Sequence, residues 1–180
     1  ALPNNTPASN NTAVGYQAAY SNTTGTDNVA LGYQALLDNT TGAENTAVGK
    51  GALQDNTTGT ENTAVGRLAL RDNNGTENVA VGANASQRNT SGNYNTALGM
   101  SALYFNTTAS ENTAVGYQAG YTNITTSYNT AVGFKALKSS TAQGNTAVGR
   151  EALINATTGA QNTCIGLNSG QTITTGAKNT

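Results

Sequence analysis

Asn45-Thr46-Ala47-Val48-Gly49 decides how the rest of the chain is read, because versions of it recur along nearly the whole sequence. Its glycine returns as Gly15, Gly32, Gly66, Gly82, Gly99, Gly116, Gly133, Gly149 and Gly166, at intervals of 16 or 17 residues. Self-similarity at a short fixed interval marks a solenoid or array, in which each unit adds one layer to a continuous core. Aligned on its leading asparagine, one full copy runs from Asn28 to Glu44 and the next starts at Asn45. Such a unit is too short for the paired helices of the longer helical repeats, and Thr, Val and Ile between Asn and Gly punctuation favour short strands. Gln34-Ala35-Leu36-Leu37, just before Asp38-Asn39, is too short for a stable helix. The expected fold is all-β: a parallel β-solenoid (β-roll) of about ten 16–17-residue coils over residues 11–180. Residues 1–10 hold both prolines, Pro3 and Pro7, and read as a lead-in or partial cap. Coils about 4.8 Å apart make a rod of roughly 50 Å.

Composition narrows the partners. Only 36% of the 180 residues are hydrophobic and 6% aromatic, with no histidine or tryptophan, which argues against an ordinary globular core. The fixed phase of the aliphatics argues equally against a disordered tract. Eight basic and nine acidic residues leave a net charge of -1, with no basic run to neutralise phosphates, so nucleic acid is not an expected partner. No apolar run is long enough to cross a bilayer, and no membrane insertion is expected. Cys164, the one cysteine, stands where other copies have alanine and reads as a small buried hydrophobe.

Strand alternation makes two assignments. The branched aliphatic at the fourth place of each copy (Val14, Leu31, Val48 and their equivalents) is expected to point inward. The third and fifth places then face outward as an alanine-glycine stripe. That stripe, Ala13, Ala30, Ala47, Ala64, Ala80, Ala97, Ala114, Ala131 and Ala147, reads as a candidate subunit contact; the alternative is that it lines a narrow coil. Leu36, Leu53, Leu70, Leu103, Leu137 and Leu153 form a second core column, which strand parity reaches only if the chain bends near the glycine. Ala19, Ser86, Gly120 and Gly170 replace that leucine, and those coils are expected to be softer.

Asn39-Thr40-Thr41-Gly42 and its relatives read as turns, with Asn bonding the local backbone. Stacked coils bring Asn11, Asn28, Asn45 and Asn62 above one another as an amide ladder. Asn22, Asn39, Asn56, Asn89 and Asn106 also begin N-glycosylation acceptor triplets, which the turn reading outweighs. After the repeated glycine comes a variable line, Tyr16, Tyr33, Lys50, Arg67, Tyr117, Phe134 and Arg150, a candidate surface for a glycan or host-surface receptor by stacking and hydrogen bonding. Acidic residues such as Glu44, Glu61, Glu77 and Glu111 recur too sparsely for a calcium site. No thiol–base pair, phosphate-cradling loop or local carboxylate pair points to catalysis, a metal or a cofactor, so the chain is not expected to be an enzyme.

The repeat Glu-Asn-Thr-Ala-Val-Gly, seen at Glu44 to Gly49 and Glu111 to Gly116, resembles the head repeats of trimeric autotransporter adhesins. Those heads use an Asn-Ser-Val-Ala-Ile-Gly-like unit, and Asp27-Asn28-Val29-Ala30-Leu31-Gly32 comes nearest to it. The chain is also similar to repeat regions of phage tail-fibre proteins. The resemblance covers Asn11 to Thr180 and implies a left-handed β-roll, three chains side by side, and service as a rigid fibre or host-binding head. The 16- or 17-residue period and the Asn-Thr-Thr-Gly turn depart from that pattern. The expected role is a structural repeat module of an extracellular or virion fibre, adhesive by multivalent display. It would be found outside the cell, at the cell surface or on a virion, as a homo-oligomer with a trimer preferred to a head-to-tail filament. Two alternatives are a self-polymerising extracellular filament and an ice- or polysaccharide-binding solenoid.

Overall fold

The computed structural model describes residues 2–5 and 7–180. It is a β-solenoid with one three-residue strand per coil: β1 Thr12–Val14, β2 Val29–Leu31, β3 Thr46–Val48, β4 Thr63–Val65, β5 Val79–Val81, β6 Thr96–Leu98, β7 Thr113–Val115, β8 Thr130–Val132, β9 Thr146–Val148 and β10 Thr163–Ile165. The ten strands form one parallel sheet in chain order. Register is one coil per rung, so Thr46 faces Thr63 and Val48 faces Val65. Among the described residues there is no helix.

Short strands suffice because the backbone ladder continues through the rest of the coil. The amide of Thr46 donates to Asn62 O (2.8 Å), that of Gly49 to Leu31 O (2.8 Å), that of Leu36 to Ala52 O (3.0 Å) and that of Asp38 to Gln54 O (2.9 Å). Each coil thus hands its main-chain polar groups to the coils on either side, which lets a glycine- and asparagine-rich chain bury backbone without leaving it unpaired.

The core reverses the expected strand orientation. Ala30, Ala47, Ala64, Ala80, Ala97, Ala114 and Ala147 are wholly buried inside the single chain, Ala131 nearly so and Ala13 partly. The aliphatics on either side of them face out, at 62% exposure for Val14, 39% for Val81 and 70% for Ile165. The alanine column therefore lines the narrow coil and is not a contact surface between subunits. The reason is steric. A Cβ built on Gly120, which takes the leucine's place in its coil, would lie 3.7 Å from Ala114 Cβ, so that place sits directly across the interior from the strand. Where leucine occupies it, only a methyl fits opposite.

Left-handed backbone resolves the parity conflict at that leucine. Ala35 and Leu36 are both fully buried although adjacent, which a regular strand cannot achieve. Leu36, Leu53 and Leu70 have φ of 51°, 49° and 49°, turning each side chain inward beside its alanine. Such conformations cost L-residues roughly 1–2 kcal/mol, and the buried leucine offsets this by about 1.5–3 kcal/mol. The glycine after each strand is fixed by closer approach. Gly32 has φ +139°, and a Cβ there would lie 2.6 Å from Gly49 O.

Residues before the first coil pack onto it. Leu2 rests against the core, and Asn5 Oδ1 accepts from Asn11 Nδ2 (3.1 Å) and Asn22 Nδ2 (2.7 Å). Ala1 and Thr6 of the expected lead-in lie outside the described residues.

Three columns fail together in the coil that follows Asn112. Gly120 leaves the leucine column empty, beside a cavity of about 10 Å³ lined by Leu103, Gly120, Asn123, Leu137 and Ser140 among others. The interior asparagine column ends there: Asn106 Oδ1 and Asn123 Nδ2 are buried without a partner, and Ser140 stands where the next asparagine belongs. Thr107 donates its amide to Ile124 O (2.9 Å), but Ile124 and Thr125 make no equivalent bond to the following coil.

Candidate interaction surfaces

Two asparagine ladders line the interior: the leading one continues through every coil to Asn179, and the turn ladder runs from Asn22 to Asn106. In the leading ladder, Asn45 Oδ1 accepts the amide of Asn62 (3.0 Å), while Asn45 Nδ2 donates to Gly59 O (2.8 Å). In the turn ladder, Asn56 Nδ2 donates to Asn39 Oδ1 (2.9 Å) and to Gly59 O (3.1 Å). The five asparagines of the glycosylation triplets are all in this second column and fully buried, which agrees with their reading as turn residues. These ladders hold the coils in register and present nothing to solvent.

The first threonine of these turns is likewise engaged. Thr23 Oγ1 donates to Thr40 O, and Thr40 Oγ1 to Thr57 O, each at 2.9 Å. Thr24, Thr41 and Thr58, the second threonines of their turns, leave their hydroxyls free, as do Thr46 and Thr63 on the strands, which flank the buried alanines on the outer face. On that side Glu44 and Lys50 are exposed and Thr46 and Val48 partly so on one rung, as are Glu61, Arg67, Thr63 and Val65 on the next.

The variable line forms one edge of the face, and its aromatic members stack on each other. Tyr16 and Tyr33 lie 5.3 Å apart with Lys50 Nζ over Tyr33, and Tyr117 and Phe134 lie 5.3 Å apart with Lys135 and Arg150 beside the Phe134 ring. Arg67 instead bonds Asn84 (3.2 Å). Rings piled along the rod occupy each other's faces and turn mainly their edges outward, so the line is a poor platform for stacking on sugars.

A second column escaped the sequence reading. Tyr104 and Tyr121 stack at 5.4 Å, Phe105 meets both edge-on, and Arg88 lies 5.0 Å from the Phe105 ring centre. Aligning the tenth and eleventh places of the copies, not only the place after the glycine, brings these residues together. The same alignment stacks Asp38, Asp55 and Asp72. Asp55 is held above the ordinary carboxylate range by burial and then by Asp72, against the opposing pull of Arg71 3.8 Å away. Arg71 in turn is held protonated chiefly by its hydrogen bond to Asp72.

Among the described residues no three metal-ligating side chains converge, and Cys164 is buried without a disulfide partner. The chain is a β-solenoid repeat protein by its architecture. Comparison with family models, curated proteins and solved structures gives no match.

Proposed function

We propose that this chain is a non-enzymatic structural module of an extracellular or virion fibre, in which copies lie side by side, three together as the resemblance implies, and display repeated turns for adhesion. The observation that carries this reading is the unbroken one-coil register of ten parallel strands, which makes a stiff rod about 43 Å long between the first and last strand. Many identical turns at fixed spacing convert weak single contacts into strong multivalent ones. The test is mass by light scattering after size exclusion across concentration, with electron microscopy of the same fractions. Discrete bundles of short rods are expected. A strict monomer at all concentrations overturns the proposal, and rods of graded length point to end-to-end polymerisation instead.

One observation favours a second reading, a solenoid that binds ice or a crystalline polysaccharide. The strand face carries free Thr hydroxyls and aliphatic methyls in two columns about 4.8 Å apart along the rod. Ice-recrystallisation and insoluble-polysaccharide binding assays on the monomer test it. Inactivity in both removes this reading.

A further inference from the structure

We infer that Tyr16 and Tyr33 form a site of oxidative coupling, at which hydrogen peroxide acting through a peroxidase joins the two rings as a dityrosine and staples the first coil to the second. The inference is independent of how copies of the chain assemble.

Register brings the pair together. Both side chains leave the place after the repeated glycine, on the successive coils that β1 and β2 pair. Their ring centres lie 5.3 Å apart with planes 18° from parallel. Tyr16 is 64% exposed and Tyr33 46%, so both rings are open to an oxidant in solvent. Lys50 of the third coil stands 5.3 Å from the Tyr33 ring centre, so that ring meets a tyrosine on one side and a cation on the other. Tyr94 and Tyr128 are as open, at 55% and 61%, but the same place on the coils beside them holds Glu77, Glu111 or Gly144. Tyr104 and Tyr121 repeat the stacked arrangement, but they are half-buried and Phe105 meets both edge-on, so they are expected to react more slowly.

In the reaction each phenol gives up one electron and its hydroxyl proton and becomes a phenoxyl radical, with unpaired spin on the ring carbons beside the oxygen. Two such carbons join in one carbon–carbon bond. The hydrogen on each then moves to the phenoxyl oxygen, and both rings regain aromaticity. The two electrons and two protons released break the O–O bond of hydrogen peroxide and yield two waters. Stacking replaces the diffusional meeting of two radicals by a short slide of neighbouring rings.

Position gives the bond an effect. The first coil carries Ala19 where its neighbour carries Leu36, and the coil of Tyr117 and Tyr121 carries Gly120 at that place. All three stacked ring pairs among the described residues include one of these two leucine-poor coils. The rings thus tie from outside the coils that the interior holds less firmly. A covalent link between Tyr16 and Tyr33 restricts the unfolded chain in the way a disulfide does.

The test treats the dilute full chain with limiting hydrogen peroxide and a haem peroxidase, followed by trypsin, whose first cut falls after Lys50. Mass spectrometry of that peptide is expected to show the loss of two hydrogens and no fragments from cleavage between residues 16 and 33. Sequence proximity alone would link Tyr16 to Tyr20, and exposure alone would draw in Tyr94 and Tyr128. Coupling of Tyr16 to Tyr33 is expected to be at least about tenfold faster than any of these. Tyr33→Phe keeps a ring in the stack and the β circular dichroism but removes the phenol, and should abolish the product. In the coupled chain, exchange of the Gly32 and Gln34 amides, which donate to Val14 O and Tyr16 O, is expected to slow. Coupling that follows sequence proximity or exposure, that links only separate chains, or that gives way to ring hydroxylation overturns the site. Unchanged amide exchange in the coupled chain overturns its role as a staple.

Discussion

Asn56→Asp exchanges one amide nitrogen for one oxygen, with no change of shape, at a position wholly shielded from solvent. Asn56 Nδ2 gives two hydrogen bonds, to Asn39 Oδ1 at 2.9 Å and to Gly59 O at 3.1 Å, and both acceptors would then face a carboxylate oxygen. Gly59 O keeps a second donor, Asn45 Nδ2 at 2.8 Å, whereas Asn39 Oδ1 loses the donor that Asn56 supplied. One orphaned acceptor costs about 1–3 kcal/mol, and a buried charge without a partner adds a loss of about 3–5 kcal/mol. The variant should therefore lose several kcal/mol at pH 7. Part of that returns on acidification. The buried carboxyl binds its proton more tightly in the fold than in the unfolded chain, so stability falls as pH rises from the ordinary carboxylate value towards the raised folded one. Long repeat arrays need not unfold in one step. The assay is therefore denaturant melting from pH 3 to pH 8 combined with amide exchange of the coils around Asn56, with exposed Asn74→Asp as the control. A loss below about 1 kcal/mol at pH 7, or one that does not change with pH, would refute the view that the ladder amides hold the coils together.

The remaining expectations concern single places in the coil. Gly66→Ala puts a methyl 2.6 Å from Gly82 O at φ +133°; strain and overlap together should cost about 2–5 kcal/mol by denaturant melting. Ser86→Ala removes a buried hydroxyl that has no partner, at a place where the first coil already carries Ala19, and should raise stability by about 1 kcal/mol in the same measurement. Asp55 is held above the ordinary carboxylate value of 3.8, so its contribution to stability declines as pH rises from that value through its folded one. Asp55→Asn should flatten that part of the melting profile, and an unchanged profile would show that the Asp38–Asp55–Asp72 column carries no strain.

The period, the coil number and the leading asparagine ladder were legible because each follows from repetition: residues 16 or 17 apart must stack whatever their chemistry. Orientation within the coil was not. Size suggests that Val48 is buried and Ala47 exposed, but the interior is only wide enough for a leucine facing an alanine, and Leu53 already occupies it. The inward turn of that leucine depends on φ near 50°, a conformation that no local propensity of leucine announces. With the alanines inside, the outward face of the strand carries threonines and aliphatics in place of the expected alanine-glycine stripe. The aromatic line follows from the same repetition, which also sets its rings on one another along the rod and covers the ring faces a sugar would need. The soft coil was visible at Gly120 as a missing leucine. Its depth was not, because Ser140 lies a coil further on and the lost turn bonds leave no mark in composition.

That coil bears on how the rod carries load. Most of its ladder bonds point along the long axis, so a lengthwise pull is shared by every junction in series, and a chain in series parts at its weakest link. The junction after Thr122 has lost rungs in the leucine, amide and turn columns at once. Extension is thus expected to begin there as one abrupt step rather than as gradual stretching, with the coils on either side still intact. A segment built this way places the first point of yielding inside the rod, at a defined coil, and not at its ends.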